Sequence, residues 1–128
     1  MVTDGRASGR IGVCSEMAVA LDLTRRGGNV LWPADPTSPY DLVVDTGRRF
    51  LRVQVKTAHR RPAKRWVGGH RGRNDWYFRG GGMYAGTADV MALVRGEAIR
   101  YQSTHRLPPG QPRPAFKWLR GELDEPAR

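Results

Sequence analysis

Asp41, Gln54 and Lys56 place an acid, an amide and an amine on what reads as one face of a β-hairpin. The stretch SPYDLVVDTGRRFLRVQVKTA, residues 38–58, alternates apolar and polar positions in two runs. Tyr40, Leu42 and Val44 point to one side in the first run, and Leu51, Val53 and Val55 do so in the second, leaving the polar set opposite. With Gly47 and Arg48 as the two loop residues, Asp41 falls across from Gln54, their Cβ atoms about 4.5–5.5 Å apart. Lys56 lies two positions further along that face. A carboxylate, an amide carbonyl and the backbone carbonyl of Val55 are hard oxygen donors suited to Mg²⁺. An amine beside them can orient or deprotonate a water, or steady negative charge on a phosphoryl oxygen. Phosphodiester hydrolysis requires these parts: an in-line water, charge relief on the phosphoryl oxygens and help for the leaving oxygen.

The elements that must hold these groups follow from periodicity. Residues 11–26 predict a helix, because Ile11, Cys14, Met17, Ala18 and Leu21 recur at helical spacing and Gly27-Gly28 supplies a stop. Residues 29–32 read as a short edge strand ended by the Pro-rich WPADPTSP loop. Strands at 40–45 and 49–57 follow, joined by Thr46-Gly47-Arg48. A further hairpin is predicted at 90–94 and 98–101 around Gly96, residues 108–114 form a loop or polyproline linker, and 115–119 form one helical turn packing Phe116, Trp118 and Leu119. The order predicts an α/β fold, a mixed β-sheet flanked by an N-terminal helix, in a single domain over residues 1–128.

The charge balance narrows the partner. Twenty-two Lys and Arg against 12 Asp and Glu give a formal net charge of +10 in 128 residues. Residues 46–74 hold ten of those cations and no acid. Within this stretch a basic loop at about 58–75, with Arg60, Arg61, Lys64, Arg65, Arg71 and Arg73 among glycines and tryptophans, is suited to phosphates and to packing rings on sugars or bases. The competing reading is a solvated loop with Trp66 and Trp76 tucked into the core. No run of about 18 apolar residues and no signal-peptide core favours a membrane, so nucleic acid is the expected partner. The single Cys14 excludes an intrachain disulfide and a Cys-based zinc cluster, which suits a cytoplasmic location.

The succession GxCSExxxALDLxxRGxxVLxP, then SPYDLVVD, then RVQVKTA, resembles the PD-(D/E)XK nuclease superfamily, specifically small members with Gln at the second acid position, such as intron-encoded homing endonucleases and Holliday-junction-resolvase-like relatives. The resemblance covers residues 9–58, with weaker support from ADVMALV. It implies a restriction-endonuclease-like core and a metal-dependent endonuclease acting on double-stranded or branched DNA. Position by position, it implies Asp41 as the metal-binding acid, Pro39 as the family's proline displaced by one, Gln54 at the second ligand position, Lys56 as the catalytic lysine and Glu16 as the helical acid pointing into the same site. Asp41, Gln54, the Val55 carbonyl and Glu16 would then hold Mg²⁺, with Mn²⁺ as an alternative. The departure is Gln54, an amide that ligates but brings no charge.

Cutting two strands implies a homodimer or homotetramer. Two other classes stay open: a catalytically inactive nucleic-acid-binding protein that keeps the fold, and a ribonuclease. Asp45, beside the turn, reads as structural, as does Asp89 at the start of a later strand. Cys14 is expected in the core, and His59, His70 and His105 show no ligand spacing.

Overall fold

The computed structural model describes residues 5–59, 76, 78, 84–105 and 113–125. One helix, α1 (Gly5–Arg25), precedes five strands: β1 (Asn29–Leu31), β2 (Leu42–Asp45), β3 (Phe50–Thr57), β4 (Val90–Arg95) and β5 (Ala98–Ser103). They form one sheet in the order β1-β2-β3-β4-β5. Neighbours are antiparallel except β3 and β4, which run parallel, so the expected mixed sheet is present. A parallel pair needs a long crossover, and it is supplied between Thr57 and Val90. The cationic residues of that crossover, Arg60, Arg61, Lys64, Arg65, Arg71 and Arg73, lie outside the described residues, as do His70 and Trp66.

Helix α1 covers one face of the sheet. Val19 and Leu23 are fully buried against Leu42, Val44, Leu51, Val53, Val55, Val90 and Ala92. The helical face expected from the sequence is therefore corrected. Ser15, Val19 and Leu23 point inward, whereas Ile11, Met17 and Leu21 are 54, 63 and 50% exposed and Cys14 is exposed as well. The reason is that α1 is apolar on almost every side, so its periodicity does not single out a stripe. Specific polar contacts choose the rotation: Ser15 Oγ lies 2.7 Å from Thr57 Oγ1, and the Tyr101 hydroxyl donates to Asp22 Oδ2 at 2.6 Å. Asp22 is also paired with Arg26 at 3.0 Å, and that guanidinium sits 5.4 Å from the Tyr101 ring centroid. Burial and the Asp22 carboxylate hold the Tyr101 hydroxyl far above its ordinary pKa. The helix ends in a Schellman motif, with Gly27 at φ +92°, Gly28 N donating to Leu23 O and Gly27 N to Thr24 O.

On the opposite face, Met91, Leu93 and Ala58 are buried beneath Trp76, Phe78 and Tyr84. Trp76 is thus packed against the core. The expected helical turn at 115–119 is not formed. The chain runs extended along the open edge of β5 instead, Ser103 N donating to Pro114 O and Phe116 N to Tyr101 O, both at 3.0 Å. Those free edge groups offer the segment more backbone hydrogen bonds than an isolated turn would. Phe116 and Trp118 pack edge to face at 4.8 Å, and Trp118 meets Tyr101 at 5.5 Å, whereas Leu119 remains 52% exposed.

Candidate active site

The β2–β3 hairpin has the register expected from its alternation: Leu42 pairs with Val53, Val43 with Arg52, Val44 with Leu51 and Asp45 with Phe50. Thr46 N donates to Arg49 O at 3.0 Å around Gly47, whose φ is +86°. Asp45 is occupied in this turn, accepting from Gly47 N at 2.8 Å. The alternation places the start of the first hairpin strand at Tyr40, but β2 starts at Leu42, so Asp41 precedes it, outside the paired register, and is tied to β3 twice. Its N–H donates to Val53 O at 3.0 Å, and its Oδ2 accepts the Val55 N–H at 2.8 Å. A half-buried carboxylate is thereby fixed against the middle of β3.

Gln54 and Lys56 alternate with the buried Val53 and Val55 and are half-buried on the other face of β3. The Lys56 ammonium lies 5.1 Å from the Tyr84 ring centroid, within cation–π range. Tyr84 is held by its own carbonyl, which accepts from Thr87 N and Ala88 N. Sequence reasoning missed Tyr84, and no local signal could have found it in the glycine-rich GGMYAG stretch.

Glu16 reaches Asp41 from α1. Burial, then the Asp41 charge, then a hydrogen bond with the Asp41 side chain push the Glu16 carboxyl above its ordinary pKa. The Ser15–Thr57 contact next to it sets the height of the helix over β3. Structure thus brings Glu16, Asp41 and the Val55 backbone together, with Gln54 and Lys56 on the adjacent strand.

Asp89 is placed elsewhere. Its Oδ2 accepts from Arg52 N at 2.8 Å and Nε at 3.1 Å, and its Oδ1 from Nη2 at 3.0 Å, which holds the carboxyl below its usual pKa. This acid links β3 to β4. His59 and His105 are exposed.

Two half-buried carboxylates close to one another suit a hard cation, because a positive charge between them relieves their repulsion. Among the described residues no cluster of three or more His, Cys, Asp or Glu is suited to a metal. The remaining donors must be neutral oxygens, and Mg²⁺ is commonly held by one or two carboxylates with water and substrate phosphate completing its shell.

Comparison with known proteins bears on the family and the fold. A family profile described as PD-(D/E)XK endonuclease matches residues 7–69. A solved structure of a bacterial homing endonuclease, I-Ssp6803I, superposes with a TM-score of 0.50 at 21% identity, covering 73% of this chain and 66% of that one. The profile and the superposition together support the PD-(D/E)XK superfamily for this chain. Its mixed sheet with an N-terminal helix is the restriction-endonuclease-like fold, and the profile spans α1 and the whole β2–β3 hairpin. No curated protein matches the sequence. Among the described residues, no helix is long and apolar enough to cross a membrane.

Proposed function

We propose that this chain is a divalent-metal-dependent endonuclease that hydrolyses DNA phosphodiester bonds on double-stranded or branched substrates. The observation that carries the reading is the meeting of Glu16 and Asp41 beside the β3 strand that bears Gln54 and Lys56. In this reading Asp41 and Glu16, with the carbonyl oxygens of Gln54 and Val55, hold Mg²⁺ or Mn²⁺. Such an ion supplies charge relief on the phosphoryl oxygens and lowers the pKa of bound water.

The chain's own groups do the rest. The hydrogen bond from Val55 N keeps Asp41 from swinging away when its charge is neutralised. Lys56 orients the attacking water or neutralises the negative charge that develops on the phosphoryl oxygens, and the Tyr84 ring restricts where its ammonium can go. Gln54 ligates without adding charge, which makes Glu16 the second acid. A second copy of the chain belongs to the same reading, since each chain carries one site and a duplex has two strands.

The test is cleavage of supercoiled plasmid, a four-way junction and single-stranded RNA in Mg²⁺ or EDTA, with Asp41→Ala and Lys56→Ala alongside. Metal-dependent DNA cutting lost in both variants supports the proposal. Binding without cutting on every substrate points to a nuclease fold that only binds, and cutting of RNA alone to a ribonuclease. Light scattering reads the oligomer.

A further inference from the structure

The far end of β3 carries a concave surface that the proposed active site does not use. Two adjoining hollows of about 380 and 330 Å³ share Arg49, Ser103, His105 and Phe116. Pro114, Lys117 and Leu119 complete the first, and Arg52 and Asp89 help to line the second. At about 3.3 Å of rise per residue, Arg49 lies about 23 Å along the strand from Lys56.

The two arginines are built into place. The Glu122 side chain is 0% exposed and accepts from Arg49 Nε, from Arg49 Nη2 at 3.1 Å, from Thr46 Oγ1 at 3.0 Å and from Leu119 N at 2.8 Å. That acid is fully committed. It grips one edge of a guanidinium that stays 37% exposed and lies 5.6 Å from the Phe116 ring centroid. Asp89 grips Arg52 through Nε and Nη2 while Nη1 donates to Gly86 O at 3.2 Å, with the side chain 39% exposed. Both acids of this region are consumed in positioning cations. Lys117 is exposed on the lining, and Arg113, whose Nη1 donates to His105 O at 3.0 Å, adds charge at the rim.

A guanidinium held by one edge is a pre-organised donor for a second oxyanion, since little side-chain freedom remains to be lost. Beside these donors Phe116, Pro114 and Leu119 give an apolar wall, the pairing that suits a backbone phosphate with its sugar or base. We infer that this cleft between β3, β5 and the C-terminal segment binds the backbone of a nucleic-acid strand, several nucleotides from the bond the active site would cut. At about 3.4 Å per nucleotide the separation from Lys56 corresponds to about seven base pairs. The inference shares the nucleic-acid partner with the proposed function but does not depend on catalysis.

Fluorescence anisotropy with an end-labelled duplex and an end-labelled single strand in EDTA, over about 50 to 200 mM salt, tests it. The double variant Lys117→Ala with Arg113→Ala binds about three- to tenfold more weakly, with a salt slope shallower by about two. A control pair, Arg25→Ala with Arg100→Ala, removes the same charge elsewhere and keeps the parental slope. Phe116→Leu, which retains packing, weakens the single strand more than the duplex. Parental affinity and slope in the Lys117 and Arg113 double variant overturn the inference, as does an equal loss in the control pair or failure of the parent to bind either DNA. Displacement of label by a free mononucleotide as effective as by unlabelled strand would reassign the cleft to small nucleotides and overturn it too. Should the parent bind through the cleft yet cut nothing, the inference stands and the endonuclease proposal falls; normal cutting with unaltered binding in the double variant gives the reverse.

Discussion

Replacing Asp41 by alanine and by asparagine separates the two jobs its carboxylate holds. Oδ2 accepts the Val55 N–H at 2.8 Å, and the charge faces Glu16. Alanine removes both. It strands a backbone donor in the middle of β3, at a cost of about 1–3 kcal/mol for an unsatisfied buried group. Unfolding entropy of about 2.1 cal/mol/K per residue makes each kcal/mol worth roughly 4 °C in a 128-residue chain, so Asp41→Ala melts about 4–11 °C below the parent in EDTA. Asparagine keeps an oxygen at the same place and removes only the charge, which also relieves Glu16. Asp41→Asn therefore melts within about 2 °C of the parent. Adding Mn²⁺ raises the parent above both variants, because a ligand at 100 times its Kd stabilises by about 2.7 kcal/mol and only the parent retains the charged acid. Thermal unfolding by circular dichroism, with and without metal, gives all the values. If alanine and asparagine melt together, Asp41 is not anchoring β3; if the metal shift survives in asparagine, the cation sits elsewhere.

Lys56→Ala lowers plasmid cutting at least about 100-fold, the usual loss for an electrostatic or acid–base group, while DNA affinity in EDTA stays within about threefold. A Lys56→Ala variant that cuts normally but binds weakly makes this amine a binding contact only. Gln54→Glu adds a third acid: its melting temperature falls in EDTA and its Mn²⁺ affinity by calorimetry rises, and unchanged affinity removes Gln54 from the ligand set. Leu23→Ala, at a fully buried position, costs about 2–5 kcal/mol in urea unfolding, whereas Met17→Ala, 63% exposed, stays within about 0.5; similar costs at both would contradict the observed rotation of α1. Glu122→Ala breaks a buried ion pair and costs about 3–5 kcal/mol. Arg49 and Arg52 hold Glu122 and Asp89 below their ordinary pKa values. Their stabilisation is thus complete above about pH 4.3 and is lost as pH falls through the lower folded values, giving a parental melting temperature that drops in acid and a flatter curve for Glu122→Gln. Parallel curves would contradict the pairing.

The hairpin was legible because two local signals agree: period-two alternation and a glycine free to take positive φ at position 47. Its register holds from Leu42 to Asp45 but stops short of Asp41, whose N–H donates to Val53 O, so the expected pairing of Asp41 with Gln54 lies outside it; the family resemblance added Glu16. What stayed hidden depends on long-range contacts. The rotation of α1 follows from Ser15 meeting Thr57 and Asp22 meeting Tyr101, partners that no window of the sequence relates. Glu122 reads as an ordinary tail acid until Arg49, 73 positions away, is folded against it. The aromatic residues near the C-terminus were recognised as packing, but an extended path won over a helical turn because β5 had an open edge to offer. Tyr84 belongs to the same class, since its place under Lys56 is set by a crossover whose path the sequence does not encode locally.

Charge accounts for why this site draws an acid from the helix. With Gln54 on β3, the hairpin alone offers one carboxylate, and a single negative charge competes poorly with water for a strongly hydrated Mg²⁺. In the proposed enzyme Glu16 supplies the second charge, from an element whose position is conditional. The helix meets the sheet through the Val19 and Leu23 contacts and two side-chain clips, so the two acids approach only when α1 is docked. Without metal their repulsion works against that docking, and burial first, then the Asp41 charge, makes the Glu16 carboxyl hold its proton more tightly than usual. A cation between them turns the same contact from a cost into a gain. In the proposed enzyme, metal binding and the seating of α1 are therefore one equilibrium. A weakened helix contact far from any ligand should lower metal affinity, whereas in a site with every acid on the strands the two properties would be independent.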